Sequence, residues 1–393
     1  MEKKKLTAAV GMLSMNLMLM STSTAGSAIA AIAKSFPREP ISKVQLIGSI
    51  PQLGQIIATA FFSWLAFRFT RKNMGVISVA ITAIAGLIPA LYSNSLNLIL
   101  ACMVLLGFGT GVISNVVPVL IQENFDGEDR ATVMGWSAGA NNIGMMLFTF
   151  LGGMLGGTNW RNLFWVYGIG LIIFVIAYVL IPKDKKLDQS KTENSGNKES
   201  VFSLLKSLDP FVYFIYLITF FLSIAMMTFL ANQSICLASQ GKGTAYTATV
   251  IAVGNIGGII TAAVLTYIRK LTKNDTIAWG FIAFALSFAC IIFSTNVVMH
   301  VLGNMFSGMG IVMVNATVPF ELSTLADQKH FTVAISINTL VSSIAGMIVP
   351  LMLAAIKIQP GFNSFIFGIC ISIAVAAILF VTRFGNQIAK RAN

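Results

Sequence analysis

Windows of roughly twenty apolar residues, parted by short polar breaks, follow one another almost end to end through the 393 residues. Each is long enough to cross a hydrocarbon slab about 30 Å thick as a helix rising 1.5 Å per residue, and nothing else restricts the fold as hard. Backbone inside hydrocarbon must satisfy its own hydrogen bonds, which a helix does. Charged residues make up 10% of the chain and hydrophobic ones 56%, whereas soluble domains carry about 25% charged residues, so no soluble surface can be assembled here. The pattern predicts an all-α membrane protein with twelve transmembrane helices. They fall near residues 7–33, 44–67, 74–92, 96–121, 131–157 and 161–181, then 210–237, 244–268, 276–293, 297–320, 331–356 and 362–384.

The polar stretch PKDKKLDQSKTENSGNKES opens the one segment that can neither enter a bilayer nor build a core. It divides the chain into a six-helix bundle over 1–181, a linker over 182–208 expected in the cytoplasm, and a second bundle over 209–393. Asp209 and Pro210 supply an N-cap and a first-turn proline for helix seven. With the N-terminus inside, the 26 Lys and Arg divide as 20 inside and 6 outside, which is the cationic bias expected of cytoplasmic loops. The net charge of +12 is thus spread over loop clusters such as Arg68, Arg71 and Lys72, and it points to topology, not to a nucleic-acid face. The start, MEKKK followed by an apolar run and SAIAA, imitates a secretory signal but is read as a retained first helix. Cys102, Cys236, Cys290 and Cys370 all lie in apolar segments and read as packing residues, with neither a disulfide nor a metal site expected.

The second half echoes the first. SWLAFRFTRKN at 63–73 has its counterpart in LTYIRKLTKN at 265–274; Thr132-Val133 recurs as Thr332-Val333; and GTGVISNVVP, ending at Pro118, resembles GMGIVMVNATVP, ending at Pro319. Parallel halves of this kind are related by an axis along the membrane normal and place a ligand site between them near the midplane.

On these residues the chain resembles the major facilitator superfamily of transporters. The family's loop between helices two and three reads G-x-L-A-D-R-x-G-R-[RK], and SWLAFRFTRK keeps Leu65, Ala66, Arg68, Arg71 and Lys72; Ser63 and Thr70 stand where the family has glycines and Phe67 where it has aspartate. Residues 135–167 are similar to the family's fifth and sixth helices, with a W-R-x-x-F loop at Trp160, Arg161 and Phe164, while Gly144-Met145 replaces the Gly-Pro pair of drug antiporters. The resemblance implies two pseudo-symmetric six-helix bundles. It also implies that helices one, four, seven and ten line a cavity, with two, five, eight and eleven beside them.

All fourteen carboxylates fall in loops, termini or helix ends, so no deep carboxylate is expected to relay protons. Amides populate the spans instead: Asn16, Gln52, Gln55, Asn115, Asn141, Asn142, Asn232, Gln233, Asn255, Asn304, Asn315 and Asn338. Some must bond helix to helix, at about 0.6 kcal/mol each. Apart from Asn304 they are candidate substrate-binding residues, together with Trp136, of a wet, uncharged cavity. Trp136, Tyr213 and Tyr216 offer aromatic contacts, and His300 reads as an interface residue. Arg68, Arg71, Lys72, Glu123, Arg130 and Glu321 are candidate gating charges, because a solvated ion pair of about 0–1 kcal/mol can still bias two conformations of similar energy. Gly107, Gly109, Gly111, Gly135, Gly139, Gly254 and Gly258 have the spacing of close helix contacts.

With no P-loop, no HExxH and no nucleophile beside a His and a carboxylate, no enzyme and no cofactor are expected. The expected protein is a monomeric, multi-pass secondary transporter of the plasma membrane with both termini cytoplasmic. It would move a small neutral, zwitterionic or amphiphilic organic solute by alternating access, coupled to H+ or Na+, in contact with the lipid bilayer and with no nucleic-acid partner. The alternatives are a multidrug exporter, favoured by 29 Phe and 19 Met, and, more remotely, a non-transporting receptor or scaffold on the same fold.

Overall fold

The computed structural model describes residues 3–125, 127–182, 209–325 and 328–392; the side chains of some helical residues, Arg130 among them, and nearly all of the expected linker lie outside the description. The described residues form helices joined by short turns, with no strand among them. Ten helices are long and apolar enough to cross a membrane, and eleven when the bent pair Ile41–Ser49 with Pro51–Phe62 is taken as one span. α7, a helix of 29 residues over Gly127–Leu155, stands where the fifth span was expected.

The first, second and sixth spans depart from the expected continuous helices, the first two for a local reason. The first is α1 (Lys3–Leu19), a 3-10 segment over Ser21–Ala28, and α2 (Ile29–Ser35). In the middle segment, STSTAGSA, hydroxyls bond back three residues: Ser23 Oγ to the Met20 carbonyl at 2.7 Å, Thr24 Oγ1 to that of Ser21 at 2.7 Å, and Ser27 Oγ to that of Thr24 at 3.1 Å. Such local bonds compete with the α-helical ladder and suit the tighter i to i+3 winding. The second span splits into α3 (Ile41–Ser49) and α4 (Pro51–Arg68), bent by 40° where Pro51 has no N–H to donate. Thr70 then caps α5 (Arg71–Leu91) by accepting from the Asn73 backbone N–H at 3.3 Å, so Arg71 and Lys72 sit on the first turn of a helix where a loop was expected. The twelfth span ends at Thr382, within two residues of the expected end.

Contacts divide the chain into two compact units, the first running from the N-terminus to the end of the sixth span and taking in Gly243–Ala252. In this unit α6 (Leu96–Asn124) packs on α4 and α5, and α8 (Ile169–Leu180) follows a 3-10 segment over Trp160–Gly168. At the α4/α6 crossing backbone meets backbone: an added Cβ would stand 1.9 Å from the Pro51 carbonyl oxygen at Gly107 and 2.0 Å from that of Val104 at Gly54. Two facing glycines without Cβ atoms let the backbones touch, the small-residue contact by which membrane helices gain dispersion energy in place of a hydrophobic drive.

The second unit holds α9 (Pro210–Ser239), α10 (Thr244–Thr272) from Val253 onward, α11 (Thr276–Ile292), α12 (Val297–Leu325), α13 (Gln328–Ala355), α14 (Phe362–Thr382) and α15 (Phe384–Ala392). Asp209 accepts from the Phe211 N–H at 2.8 Å and Pro210 opens α9, as the sequence predicts. The core here is aromatic: Phe288 meets Phe365 edge-on at 4.9 Å between centroids, and Phe229 stacks on Phe365 at 5.5 Å.

Candidate functional site

The span amides separate into two groups. In the first, every polar atom named has a partner inside its own unit. Asn16 on α1 donates to Ser137 Oγ on α7. Gln55 donates to Thr110 Oγ1 at 3.3 Å, and Asn115 to Thr59 Oγ1 at 3.2 Å and the Gly111 carbonyl at 2.8 Å, all across or along the α4/α6 contact. Asn232 donates to the Thr228 carbonyl at 3.0 Å and accepts from the Gly361 N–H at 3.0 Å, tying α9 to the turn before α14. Asn338 accepts from Thr219 Oγ1 at 2.7 Å.

The second group has buried polar atoms with no hydrogen-bond partner among the described residues. These are Gln52 Oε1 and Asn141 Oδ1 in the first unit, and Asn255 Nδ2 with both amide atoms of Gln233 in the second. Gln233 is the extreme case, with 0% exposure on α9. A buried amide without partners costs about 1–3 kcal/mol. Asn142, Asn315 and Trp136 are exposed on their helices, Trp136 at 45%.

One polar seam was not foreseen. Tyr216 donates to the Ala334 carbonyl at 3.2 Å, Thr219 meets Asn338, and Ser223 lies 2.8 Å from Ser342, three rungs joining α9 to α13. Its trace in sequence is the four-residue spacing of Thr219 with Ser223 and of Asn338 with Ser342, which puts each pair on one helix face.

Of the candidate gating charges, Arg71 on α5 forms an ion pair with Glu123 on α6 at 3.3 Å; its side chain is 6% exposed and that of Glu123 41%. Lys72 donates to the Ile181 carbonyl at 2.5 Å and lies 5.4 Å from the Tyr178 ring, fastening the end of α8. Arg68 is exposed over the Trp64 ring at 5.5 Å. The backbone of Arg130 belongs to α7, while its side chain lies outside the described residues. In the second unit Glu321 lies past Pro319, where the apolar span ends, and is 6% exposed. Burial pushes its carboxyl up to about 8 against the pull of the neighbouring Arg269 guanidinium. Arg269 donates to the Ala316 carbonyl at 2.9 Å and to Thr317 Oγ1 at 3.3 Å, so α10 and α12 are joined at this end. His300 is buried with Nε2 at 2.8 Å from the Ser294 carbonyl. The W-R-x-x-F loop is held by Trp160 Nε1 on Ser35 Oγ at 2.8 Å and Arg161 Nε on Ser93 Oγ at 2.6 Å.

Comparison with known proteins agrees with this architecture. The solved structure of a variant of the nucleoside transporter NupG superposes with a TM-score of 0.79 at 12% identity, covering 96% of this chain and 99% of that one. The D-xylose-proton symporter superposes with a TM-score of 0.68 at 18% identity, covering 95% and 96%. At these identities the likeness is one of fold. In sequence, 141 residues, 34% of this chain, are 25% identical to the arabinose-proton symporter of Escherichia coli strain K12, and they span only 28% of that relative's length. The family model described as Major Facilitator Superfamily matches residues 11–350. A match over most of the chain, on a fold of long apolar helices shared with solved transporters of this type, leaves one assignment: the chain belongs to the Major Facilitator Superfamily, a family of multi-pass membrane transporters and not of enzymes.

Proposed function

We propose that the protein is a plasma-membrane secondary transporter of a small organic solute that is neutral, zwitterionic or amphiphilic. Two six-helix bundles, residues 1–181 and 209–393, would rock about a central site as a monomer with both termini in the cytoplasm. The single observation that carries the reading is Gln233: an amide with 0% exposure, set in an apolar span, with neither its donor nor its acceptor satisfied among the described residues. Gln52, Asn141 and Asn255 repeat the pattern with one unpartnered atom each. Uncharged donors and acceptors recognise hydroxyls, amides and ring heteroatoms, and exert no strong field on a free multivalent anion. That chemistry suits a polyol, sugar or nucleoside, in line with relatives named as arabinose-proton and D-xylose-proton symporters and a nucleoside transporter.

The two relatives named as proton symporters favour H+ over Na+ as the coupling ion. On this chain Glu321 is the group suited to carry it: a buried carboxyl at an inner helix end beside Arg269, able to exchange a proton near neutral pH.

The test is counterflow in proteoliposomes loaded in turn with pentoses, hexoses, nucleosides and lipophilic cations. One polar class is expected to exchange, and Gln233→Leu is expected to abolish that exchange while the purified protein melts at the wild-type temperature. Exchange of several unrelated lipophilic cations, each inhibiting the others, would instead establish a multidrug exporter. Full activity in the Gln233→Leu protein would remove this residue from the site.

A further inference from the structure

The last span ends in a way that builds a second site, away from the amides. At Thr382 α14 stops, because Arg383 adopts a left-handed conformation with φ of 49° and turns the chain into α15. This short helix is bolted to the turn between α10 and α11. Asn274 Nδ2 donates to Asn386 Oδ1 at 2.7 Å, and the chain passes so close at Gly385 that an added Cβ would stand 1.8 Å from the Asn274 carbonyl oxygen.

Beneath α15 lies a cavity of about 270 Å³ between α9 and α14, lined by Phe211, Phe214, Leu217, Val375, Leu379 and Phe384 among others. Phe384 closes it, stacked on Phe211 at 5.9 Å and tilted against Phe214 at 6.4 Å between centroids. Phe214, Leu217 and Ile378, all of the lining, are exposed, so in a spanning protein the groove opens to hydrocarbon. Its polar end is defined by Thr382 and Gln387, joined by Gln387 Nε2 to the Thr382 carbonyl at 2.7 Å. Two exposed cations flank that end. Arg383 stands between the lining residues Thr382 and Phe384, and Lys390 lies one turn beyond Gln387 on the same face of α15.

We propose that this groove binds one acyl chain of an anionic glycerophospholipid, whose headgroup phosphate is held at the membrane surface by Arg383 and Lys390. An apolar slot open to the bilayer, ending in two exposed cations, has the shape and charge order of such a lipid: chain, then polar shoulder, then anion. Its volume lies just below the range of about 300–1,000 Å³ usual for small-molecule sites, and its lining offers a polar solute almost nothing to bond. The chain passes from one apolar medium to another, so selectivity rests on the headgroup. With each basic residue at the surface contributing about a fivefold preference for an anionic lipid, two give an enrichment on the order of 30-fold over a zwitterionic one.

The test exchanges the purified full chain into vesicles of equal phosphatidylglycerol and phosphatidylcholine, a small fraction of the phosphatidylglycerol carrying a photoreactive acyl chain. Retained lipid is read by native mass spectrometry and the cross-linked peptides are mapped. Phosphatidylglycerol should be retained preferentially and label residues 211–221 and 375–387. Arg383→Gln with Lys390→Gln should lose the preference, and Leu379→Trp, which fills the slot, should lose the labelling. Both substitutions of charge are on exposed side chains, so the fold is not at risk. Equal retention of the two lipids, labelling spread evenly over the spans, or competition by inorganic phosphate at millimolar concentration would each overturn the proposal. So would a groove occupied by the chain's own 201–208 segment, seen as a cross-link between the two.

Discussion

Replacing Gly107 by alanine adds one methyl group at the α4/α6 crossing, and the structure sets how much that must hurt. The new Cβ would fall 1.9 Å from the Pro51 carbonyl oxygen and 2.6 Å from its carbon. An ordinary carbon–oxygen contact is about 3.3 Å, so the helices must part by roughly 1.4 Å. What stands in the way is backbone at the start of α4, which cannot rotate aside as a side chain would. Overpacking of this kind costs about 1–3 kcal/mol, and the upper end applies where neither side yields. Alanine's better helix propensity, about 1 kcal/mol over glycine, offsets part of it. The net loss is about 2 kcal/mol, or a fall of about 4–8 °C in Tm for a unit of this size. Gly139 on α7 is the control, since an added Cβ there meets nothing within 4 Å. Gly139→Ala should leave Tm unchanged or raise it slightly. The assay is thermal unfolding of the purified variants in one detergent, followed by intrinsic tryptophan fluorescence. If the two alanine variants melted together, or Gly139→Ala melted lower, the reading of α4/α6 as a backbone contact would be wrong.

Three further outcomes are expected. The Glu321 carboxyl titrates at about 8 in the folded chain against 4.5 in water, so the folded state holds its proton more tightly; the stability this contributes is complete below about pH 4.5 and disappears as pH rises through 8. Melting temperature should therefore decline between pH 5 and 9, and Glu321→Gln should flatten that slope; an unchanged slope would assign the decline to other groups. Asn232→Leu strands the buried Gly361 N–H and should cost about 1–3 kcal/mol in thermal unfolding, with new proteolytic cutting near residues 357–361; protection equal to wild type would count against the tie. Arg71→Gln breaks a pair whose carboxylate is 41% exposed, so the free energy of unfolding should change by little, about 0–1 kcal/mol, while the solute exchange rate in proteoliposomes changes severalfold if the pair biases a gate; a wild-type rate would make it a static contact.

How much was legible in sequence differs by element. Asp209-Pro210 announced the start of α9, since an N-cap side chain and a first-turn proline act on their own backbone. The break of the first span over Ser21–Ala28 had the same kind of local cause, in hydroxyls three residues from the carbonyls they hold, and was readable in principle from STSTAGSA. The seven glycines were different. Gly107 and Gly139 look alike in their spacing, yet one touches backbone and the other touches nothing, because spacing puts a residue on a face without saying what lies opposite. The amides were equally indistinguishable in sequence. Asn232 and Gln233 are adjacent on one helix, but rotation by one residue aims Asn232 at the Gly361 N–H and leaves Gln233 buried without a partner among the described residues.

The sequence by itself determined that the chain crosses a membrane many times, where most of the crossings lie and which segments are helical, because the bilayer imposes one length, one polarity and internal satisfaction of backbone hydrogen bonds on every span. Only the tertiary structure decided which polar side chains are consumed in joining helices and which retain unused bonding capacity, that Glu321 is buried beside Arg269, and that the chain past Thr382 folds back over an apolar groove. Hydropathy is additive along the chain and can be read residue by residue. Partnership depends on residues from about fifty to more than a hundred positions away, and it exists only once the helices have packed.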